Sequence, residues 1–438
     1  MRDPYNTVTA SHASSGGGPW RAGFAALALC ASCVSPTPPA APGPAGPETK
    51  AAGTTTPAPA ATVPGEDKVR PKAGTGDNVI TLGVRASLTS QILGEERGYL
   101  VYTPPGYETG EQRYPVMYLF DGDAHFHHVT GIIDFLAQQG HMPQILVVGV
   151  SNTDRARDFT PTREERFPSS GGADKFLSFL ATELMPTIDR QYRVLPYRII
   201  VGHSLGGLLA IYTLLSQPDM FQAYVAISPS LQWDRELLLR NAQAAWSRDK
   251  ELDRFLYFTL GTEPENITAG NRNFAAFLDK RAPAKLRWSY HLMEREDHGS
   301  TPHKTVYDGL QQLFEGWRLP RDVDTLAGVQ AHYRALSQRF GMDVRVPEGS
   351  LNNLGYQLLG TGKMAEAIQA FELNIKLYPT SPNVYDSLGE ALEKNGDLKG
   401  AHRNYAEATK RAAAARDPQL ELFMANRDRV AKKLTEEN

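Results

Sequence analysis

The chain has 438 residues, with 46 Lys plus Arg against 49 Asp plus Glu and only two cysteines. This length allows two or three folded units with at least one sizeable core. The formal net charge of -3 gives no electrostatic reason to expect nucleic acid as a partner. Both cysteines, Cys30 and Cys33, lie near the N-terminus, which excludes a disulfide framework or a cysteine-based zinc site in the remaining residues.

Residues 1–34 have the pattern of an export segment. Arg21 precedes a mostly apolar run at 23–34, which is shorter than the roughly 20 residues that span a bilayer but suits a secretory signal. A cysteine at the end of such a run resembles the lipobox of bacterial lipoproteins, with Cys30 and Cys33 both open as the lipidated residue. We expect an exported protein of the cell envelope or periplasm, either secreted or tethered to the membrane by a lipid anchor. The alternatives are an uncleaved apolar N-terminus and a misassigned start codon, with the true signal beginning nearer Arg21.

Proline and small residues fill the next stretch. Nine of the thirty residues at 35–64 are Pro, and most of the others are Ala, Gly or Thr. Such a segment has too little apolar bulk to offset the entropy lost on ordering. We therefore predict a disordered Pro/Ala/Thr-rich linker over residues 35–76.

Residues 77–320 alternate between short apolar runs and helical segments. The apolar runs lie at 99–102, 116–120, 145–150, 199–201, 223–227, 255–260 and 288–292, and helix-period stretches lie at 175–190 and 205–216. This alternation predicts an α/β domain with a mainly parallel sheet. In such a sheet, functional residues lie on loops beyond the carboxyl ends of the strands.

From about residue 349 the sequence repeats with a period of 34. The matched pairs are Leu354-Gly355 and Leu388-Gly389, Leu358 and Leu392, Gly362 and Gly396, Ala367 and Ala401, Phe371 and Tyr405. The period and the residue types resemble the tetratricopeptide repeat, in which small residues let two helices approach and an aromatic ring fills the gap. Two units are fewer than usual, so we expect an all-α region over 324–438 with capping helices at 324–340 and 418–434. Such repeats could bind a protein partner.

The segment Gly202-His203-Ser204-Leu205-Gly206 contains the motif Gly-x-Ser-x-Gly between a β-branched run and an apolar helix. That context is typical of a nucleophile elbow, a strained strand-to-helix turn that exposes a serine hydroxyl. We predict Ser204 as nucleophile and the amide of Leu205, at a helix N-terminus, as a donor to a developing oxyanion. The alternative is a glycine-rich turn that only tightens the packing.

A serine nucleophile needs a general base, and the chain order in this kind of site is serine, acid, histidine. His298 follows the last predicted strand in a short polar loop and is the predicted base, with His303 as a competitor. Glu263 follows the strand at 255–260 and is predicted to orient the imidazole. Glu265 stays open as the alternative acid.

A second oxyanion donor is expected after an earlier strand. The strand at 116–120 is followed by Asp121-Gly122-Asp123, so the amide of Gly122 or Asp123 is the candidate. The histidines at 125, 127 and 128 beside Asp121 and Asp123 give a rival interpretation, a divalent-metal site. We favour no metal, because His127 and His128 point in different directions on any regular element and no more distant ligand is recognisable by spacing. A serine mechanism needs no cofactor.

The segments Tyr102–Tyr107, Arg113–Val116, Asp121-Gly122, Asp154–Pro161, Gly202–Gly207, Ser228–Asp234 and Asp297–Ser300 together resemble the putative-esterase family of α/β-hydrolases. That family includes enterochelin-type siderophore esterases and is related to mycolyltransferase-like acyltransferases. The resemblance covers roughly residues 80–320 and implies an α/β-hydrolase fold. It carries the family's serine and histidine to Ser204 and His298, and its acid to the turn that holds Glu263 and Glu265.

Three further residues are candidates for substrate binding. Arg155 and Arg157 follow the strand at 145–150 and could hold an anionic or catecholate substrate; salt bridges to Asp154 and Asp158 are the alternative. Trp233 could line the acyl or alcohol pocket, or only cover the core.

The sequence therefore predicts a serine hydrolase that cleaves small-molecule carboxylic esters through an acyl-enzyme. A serine acyltransferase or peptidase uses the same constellation of residues. A scaffold that acts through its helical repeats, with a secondary hydrolase domain, is the alternative from another class of protein.

Overall fold

The computed structural model describes residues 81–108 and 110–436. The predicted export segment at 1–34 and the predicted linker at 35–76 lie outside the described residues. The described residues belong to one compact unit.

One eight-stranded sheet forms the centre of the first part of the described residues. Its spatial order is β1-β2-β4-β3-β5-β6-β7-β8, and all pairs from β4 to β8 are parallel, whereas β1–β2 and β2–β4 are antiparallel. The strands are β1 Val84–Ser90, β2 Glu95–Tyr102, β3 Tyr114–Leu119, β4 Leu146–Val150, β5 Val194–His203, β6 Ala223–Ile227, β7 Phe255–Thr262 and β8 Arg287–Asp297. The predicted mainly parallel sheet is confirmed.

Helices cover both faces of the sheet. They are α1 Gly122–Gln138, α2 Arg155–Phe159, α3 Ala173–Phe179, α4 Met185–Gln191, α5 Leu205–Ser216, α6 Trp233–Ala245, α7 Glu265–Arg281 and α8 Thr301–Leu313, and a π-helical turn, Leu180–Leu184, joins α3 to α4. Alternate strand residues face opposite sides: Val116 and Tyr118 lie in the core beneath α3–α7. Met117 and Leu119 lie in the core beneath α1 and α8.

In the described part of the chain, six more helices follow the sheet. They are α9 Leu326–Phe340, α10 Glu348–Gly360, α11 Met364–Leu377, α12 Pro382–Lys394, α13 Leu398–Ala415 and α14 Leu420–Glu436. A Cβ on Gly355 of α10 would collide with the ring of Phe371 on α11. One period later, a Cβ on Gly389 would lie 2.9 Å from the ring of Tyr405 on α13. The repeated glycine and aromatic ring thus allow the same close helix contact twice.

The helical region shares an apolar core with the sheet. The ring of Phe340 on α9 lies 5.6 Å from that of Tyr197 on β5, 5.3 Å from that of Phe314 and 5.6 Å from that of Trp317. All four side chains are buried. The core beneath α1 and α8 therefore continues without a break into the helical region.

No helix in the described part of the chain is long and apolar enough to cross a membrane.

The close contact at Gly355 gives a stability prediction. Gly355→Ala is expected to lower the free energy of unfolding by about 1–3 kcal/mol, because a methyl group cannot fit against the Phe371 ring without a backbone shift. Gly360→Ala, in the same helix, meets no heavy atom of the described residues within 4 Å and should stabilise by up to about 1 kcal/mol. Urea denaturation of both variants measures the difference. Equal free energies of unfolding would contradict the close contact between Gly355 and the Phe371 ring.

Candidate active site

Ser204 lies at the junction of β5 and α5. Its backbone angles, φ 60° and ψ -114°, are unfavourable for a residue with a Cβ and cost about 1–3 kcal/mol. A Cβ on Gly202 would collide with the backbone of Gly206, so the turn closes only with glycine there. The motif therefore folds as a strained strand-turn-helix that holds the Ser204 side chain at the N-terminus of α5.

Glu263 and His298 meet beyond the carboxyl ends of two neighbouring strands. Glu263 directly follows β7, His298 directly follows β8, and His298 Nδ1 lies 2.6 Å from Glu263 Oε1. The side chain of Glu263 is only 2% exposed, against 40% for His298. With Nδ1–H donating to the carboxylate, Nε2 is the imidazole nitrogen left for a substrate or nucleophile.

The competing residues lie elsewhere. Glu265 is the first residue of α7, its side chain is 78% exposed, and its nearest cationic partner is Arg272 at 3.6 Å. His303 lies on α8, where its ring is 5.4 Å from that of His128. Neither contact brings these side chains to the Glu263–His298 pair.

His298 is held beside the elbow. Its ring centroid lies 4.5 Å from that of His203, the residue directly before Ser204. Burial lowers the pKa of His203 to about 3, with a further contribution from His298. His203 is therefore neutral at physiological pH and adds no positive charge next to His298.

Ser230 is a neighbour of Ser204 that the sequence analysis missed. Its Oγ lies 3.4 Å from Ser204 Oγ, and its backbone N–H donates to the Ser204 carbonyl oxygen at 3.2 Å. Ser230 belongs to the loop after β6. No spacing rule connects that loop to the elbow, and only the strand order places the two side by side.

The predicted oxyanion donors begin two helices at the same edge of the sheet. Gly122 and Asp123 open α1 after β3, and Leu205 opens α5 after β5; β3 and β5 are adjacent strands. First-turn amides have no partner within their own helix. A Cβ on Gly122 would lie 2.5 Å from the Gly149 carbonyl carbon, so glycine allows α1 to begin this close to β4.

Arg155 contacts the two loops that carry these amides. Its Nε and Nη2 donate to Asp121 Oδ1 and Oδ2 at 2.6 and 3.0 Å, and Nη2 also donates to the His203 carbonyl oxygen at 2.8 Å. Asn152 donates a further hydrogen bond to Asp121 Oδ1. The carboxylate partner of Arg155 is therefore Asp121 and not the neighbouring Asp154 or Asp158.

Arg157 points into a separate ionic network. Its guanidinium donates to both carboxylate oxygens of Glu95, Nη1 to Oε2 at 3.0 Å, and to Asp158 Oδ1 at 2.7 Å. Arg97, whose side chain is 1% exposed, donates to the other oxygen of Asp158. The hydrogen bonds from Arg157 are the main cause that lowers the pKa of Glu95 to about 2.

Trp233 lies beneath the segment between α2 and α3. Its side chain is buried, its Nε1 donates to Thr162 Oγ1 at 3.1 Å, and its ring lies 5.5 Å from that of Phe167. Phe167 is 41% exposed. The two rings therefore form one aromatic surface, in which Phe167 is the exposed part and Trp233 the buried part.

The residues of the rival metal interpretation pair with other groups. Asp121 binds Arg155, Asp123 binds Arg85 at 2.9 Å, and His125 Nδ1 lies 3.0 Å from His128 Nε2. Across residues 81–108 and 110–436, no group of three or more His, Cys, Asp or Glu side chains has an arrangement that could hold a metal ion.

Several known proteins are similar to this chain. The chain is 32% identical over 221 residues to the ferri-bacillibactin esterase BesA of Bacillus subtilis, which covers 45% of this chain and 73% of the relative. It is 26% identical over 250 residues to the siderophore triacetylfusarinine C esterase of Aspergillus fumigatus, which covers 48% of this chain and 85% of the relative.

Solved structures match the fold. An IroE-like serine hydrolase from Shewanella oneidensis aligns with a TM-score of 0.60 and 29% identity, over 67% of this chain and 98% of that one. An uncharacterised protein from Capnocytophaga ochracea aligns with a TM-score of 0.54 and 18% identity, over 80% of this chain and 99% of that one. This second alignment includes more residues of the chain than the stretch 1–320 contains. The fold similarity therefore extends into the helical region that follows the sheet.

The family model described as putative esterase matches residues 90–317, more than half of the chain. The matched segment holds the elbow, the Glu263–His298 pair and both helix starts at the carboxyl edge of the sheet. The prediction of a carboxylic ester hydrolase agrees with this match. The chain therefore belongs to the putative esterase family.

Proposed function

We propose that the enzyme cleaves esters through an acyl-enzyme on Ser204. His298 Nε2 takes the proton of the Ser204 hydroxyl as Oγ attacks the ester carbonyl carbon. The tetrahedral intermediate collapses, the C–O bond breaks, and His298 returns the proton to the leaving alcohol. Water then attacks the acyl-enzyme by the same route and releases the acid and Ser204. The 2.6 Å contact between His298 Nδ1 and the buried Glu263 is the observation that carries this proposal.

The amides of Leu205 and of Gly122 or Asp123 stabilise the oxyanion in this proposal. Both helix starts face the carboxyl edge of the sheet, and such fixed donors are worth about 10²–10³-fold each in kcat. In the structure, Ser204 Oγ contacts Ser230 Oγ. We propose that it turns to His298 Nε2 when substrate binds, since catalytic hydrogen bonds are commonly loose without substrate.

The choice between the two glutamates is directly testable. Glu263→Gln is expected to lower kcat by about 10²–10⁴-fold, because an amide cannot stabilise the imidazolium that forms on His298. Glu265→Gln, which changes an exposed side chain two positions along, should alter kcat less than about twofold. Steady-state kinetics with an aryl acetate measures both variants. A larger loss in Glu265→Gln would reverse the assignment.

We further propose that the substrate is an ester of an iron-binding siderophore. The names of the bacillibactin and triacetylfusarinine C esterases support this substrate class. A catecholate trilactone should have a kcat/KM at least about tenfold above that of 4-nitrophenyl acetate, and peptides should not be cleaved. Product analysis by liquid chromatography tests this. Peptide cleavage, or transfer of the acyl group to an added alcohol in place of water, would favour the peptidase or acyltransferase alternative.

The division into a hydrolase domain at 77–320 and tetratricopeptide-like repeats at 324–438 is part of the proposal. The two glycine-to-aromatic contacts at one period of 34 residues support the repeat assignment. Partner binding through the repeats stays a prediction. Export and lipid anchoring at Cys30 or Cys33 stay predictions as well, since they rest on residues outside the described part of the chain.

A further inference from the structure

The two halves of the proposed oxyanion hole come from loops that are far apart in sequence. One half is Gly122 or Asp123 after β3, and the other is Leu205 after β5. Oxyanion donors act only when both lie about 2.7–3.1 Å from the same oxygen position. A misplacement of about 1 Å can cost about 10²-fold in rate. Something must therefore fix the spacing between the two loops.

Side-chain contacts of Arg155 join these loops. Its guanidinium binds both carboxylate oxygens of Asp121, the residue before Gly122, and the carbonyl oxygen of His203, the residue before Ser204. Asp121 is 7% exposed, and its own carbonyl oxygen accepts hydrogen bonds from the amides of Ala124 and His125. A shift of Asp121 would therefore shift the first turn of α1.

We propose that Arg155 is a positioning residue that sets the spacing of the two oxyanion amides, in place of the substrate contact that its loop position predicts. This inference rests on the proposed function. Arg155 contacts neither amide; it acts through Asp121 on one side and His203 on the other. The planar guanidinium supplies two parallel hydrogen bonds to a carboxylate and a third to the carbonyl, which the single ammonium of lysine cannot reproduce.

The test uses a neutral substrate, 4-nitrophenyl acetate. With this substrate, any loss of activity cannot come from a lost attraction between Arg155 and a negatively charged substrate. Arg155→Ala is expected to lower kcat by about 10²-fold and Arg155→Lys by about 10-fold, with KM changed less than about twofold. A neutral trifluoromethyl ketone, which forms a tetrahedral oxyanion on Ser204, should lose affinity by the same factor as kcat/KM. Asp121→Asn should resemble Arg155→Lys, and the double variant should be less impaired than the product of the two single effects.

Arg254 offers a matched control. Its guanidinium also joins a carboxylate, Asp219, to a backbone carbonyl, that of Pro218, both at 2.6 Å. This contact lies before β6 and β7, at the opposite edge of the sheet. Arg254→Lys should therefore leave kcat, KM and inhibitor affinity unchanged, whatever it does to the melting temperature.

The outcomes separate this inference from the proposed function. Absence of hydrolysis in the wild-type enzyme would refute the proposed function itself. If the wild type is active, an unchanged kcat in Arg155→Lys and Arg155→Ala would refute the positioning role. A rise confined to KM would mean that Arg155 binds substrate. Equal losses of activity in Arg155→Lys and Arg254→Lys would mean a general structural role. Should Arg155→Ala fail to fold, Arg155→Lys and Asp121→Asn decide the question.

Discussion

Replacing Ser204 with alanine is expected to lower kcat/KM for ester hydrolysis by at least about 10⁴-fold. The reason is that the neighbouring hydroxyl, that of Ser230, lies 3.4 Å from Ser204 Oγ on a separate loop and does not occupy the elbow. Alanine keeps the Cβ that already occupies the strained backbone position, so the melting temperature should change little. Hydrolysis of an aryl acetate and thermal unfolding, both on purified protein, measure the two effects.

Ser216→Ala is the matched control for this variant. Ser216 ends the helix that Ser204 begins, and its hydroxyl donates to the Tyr212 carbonyl oxygen of the preceding turn. The kcat/KM of Ser216→Ala should equal that of the wild type. Retained hydrolysis in Ser204→Ala would show that Ser204 is not the nucleophile and would refute an acyl-enzyme on this residue.

Deleting the whole helical region, residues 321–438, is expected to leave an insoluble or unfolded hydrolase. The deletion removes Phe340, which lies against Tyr197, Phe314 and Trp317. Each large apolar side chain contributes about 1.5–3 kcal/mol through burial, so exposure of these three approaches the whole stability of a typical domain, about 5–15 kcal/mol. Soluble yield and dye binding to exposed apolar surface measure the effect.

A shorter deletion provides the control. Ending the chain after Arg416 removes only α14, whose buried residues Phe423 and Val430 belong to small separate clusters among the last helices. That protein should stay soluble and keep its esterase activity. If the long deletion were soluble and active as well, the repeats would be an independent module and the shared core would not matter for folding.

Local signals in the sequence were enough to locate the elbow and the strands that flank it. Gly202, Ser204 and Gly206 lie within five residues, and a strained turn is a local property of the backbone. Strand β1 was missed because it is a half-exposed edge strand in which Arg and Ser alternate with apolar residues, so it lacks the continuous apolar run that marks a buried strand.

Choices that depend on tertiary packing could not be made from the sequence. Glu263 and Glu265 flank one proline, and only the fold shows that the first is buried against His298 while the second faces solvent. The partner of Arg155 lies 34 residues away in Asp121, beyond any spacing rule. The 34-residue period predicted the helix pairs, whereas their shared core with the sheet follows from side chains such as Phe340 that carry no periodic signal.

Labelling with a fluorophosphonate, followed by mass spectrometry of the peptides, tests the central claim most directly. The reagent forms a stable bond only with a serine that is activated by a base and supported by oxyanion donors. We predict one adduct per chain, on Ser204, with loss of esterase activity in proportion to labelling. An adduct on Ser230, or full activity in a protein that takes up no label, would contradict the proposed mechanism.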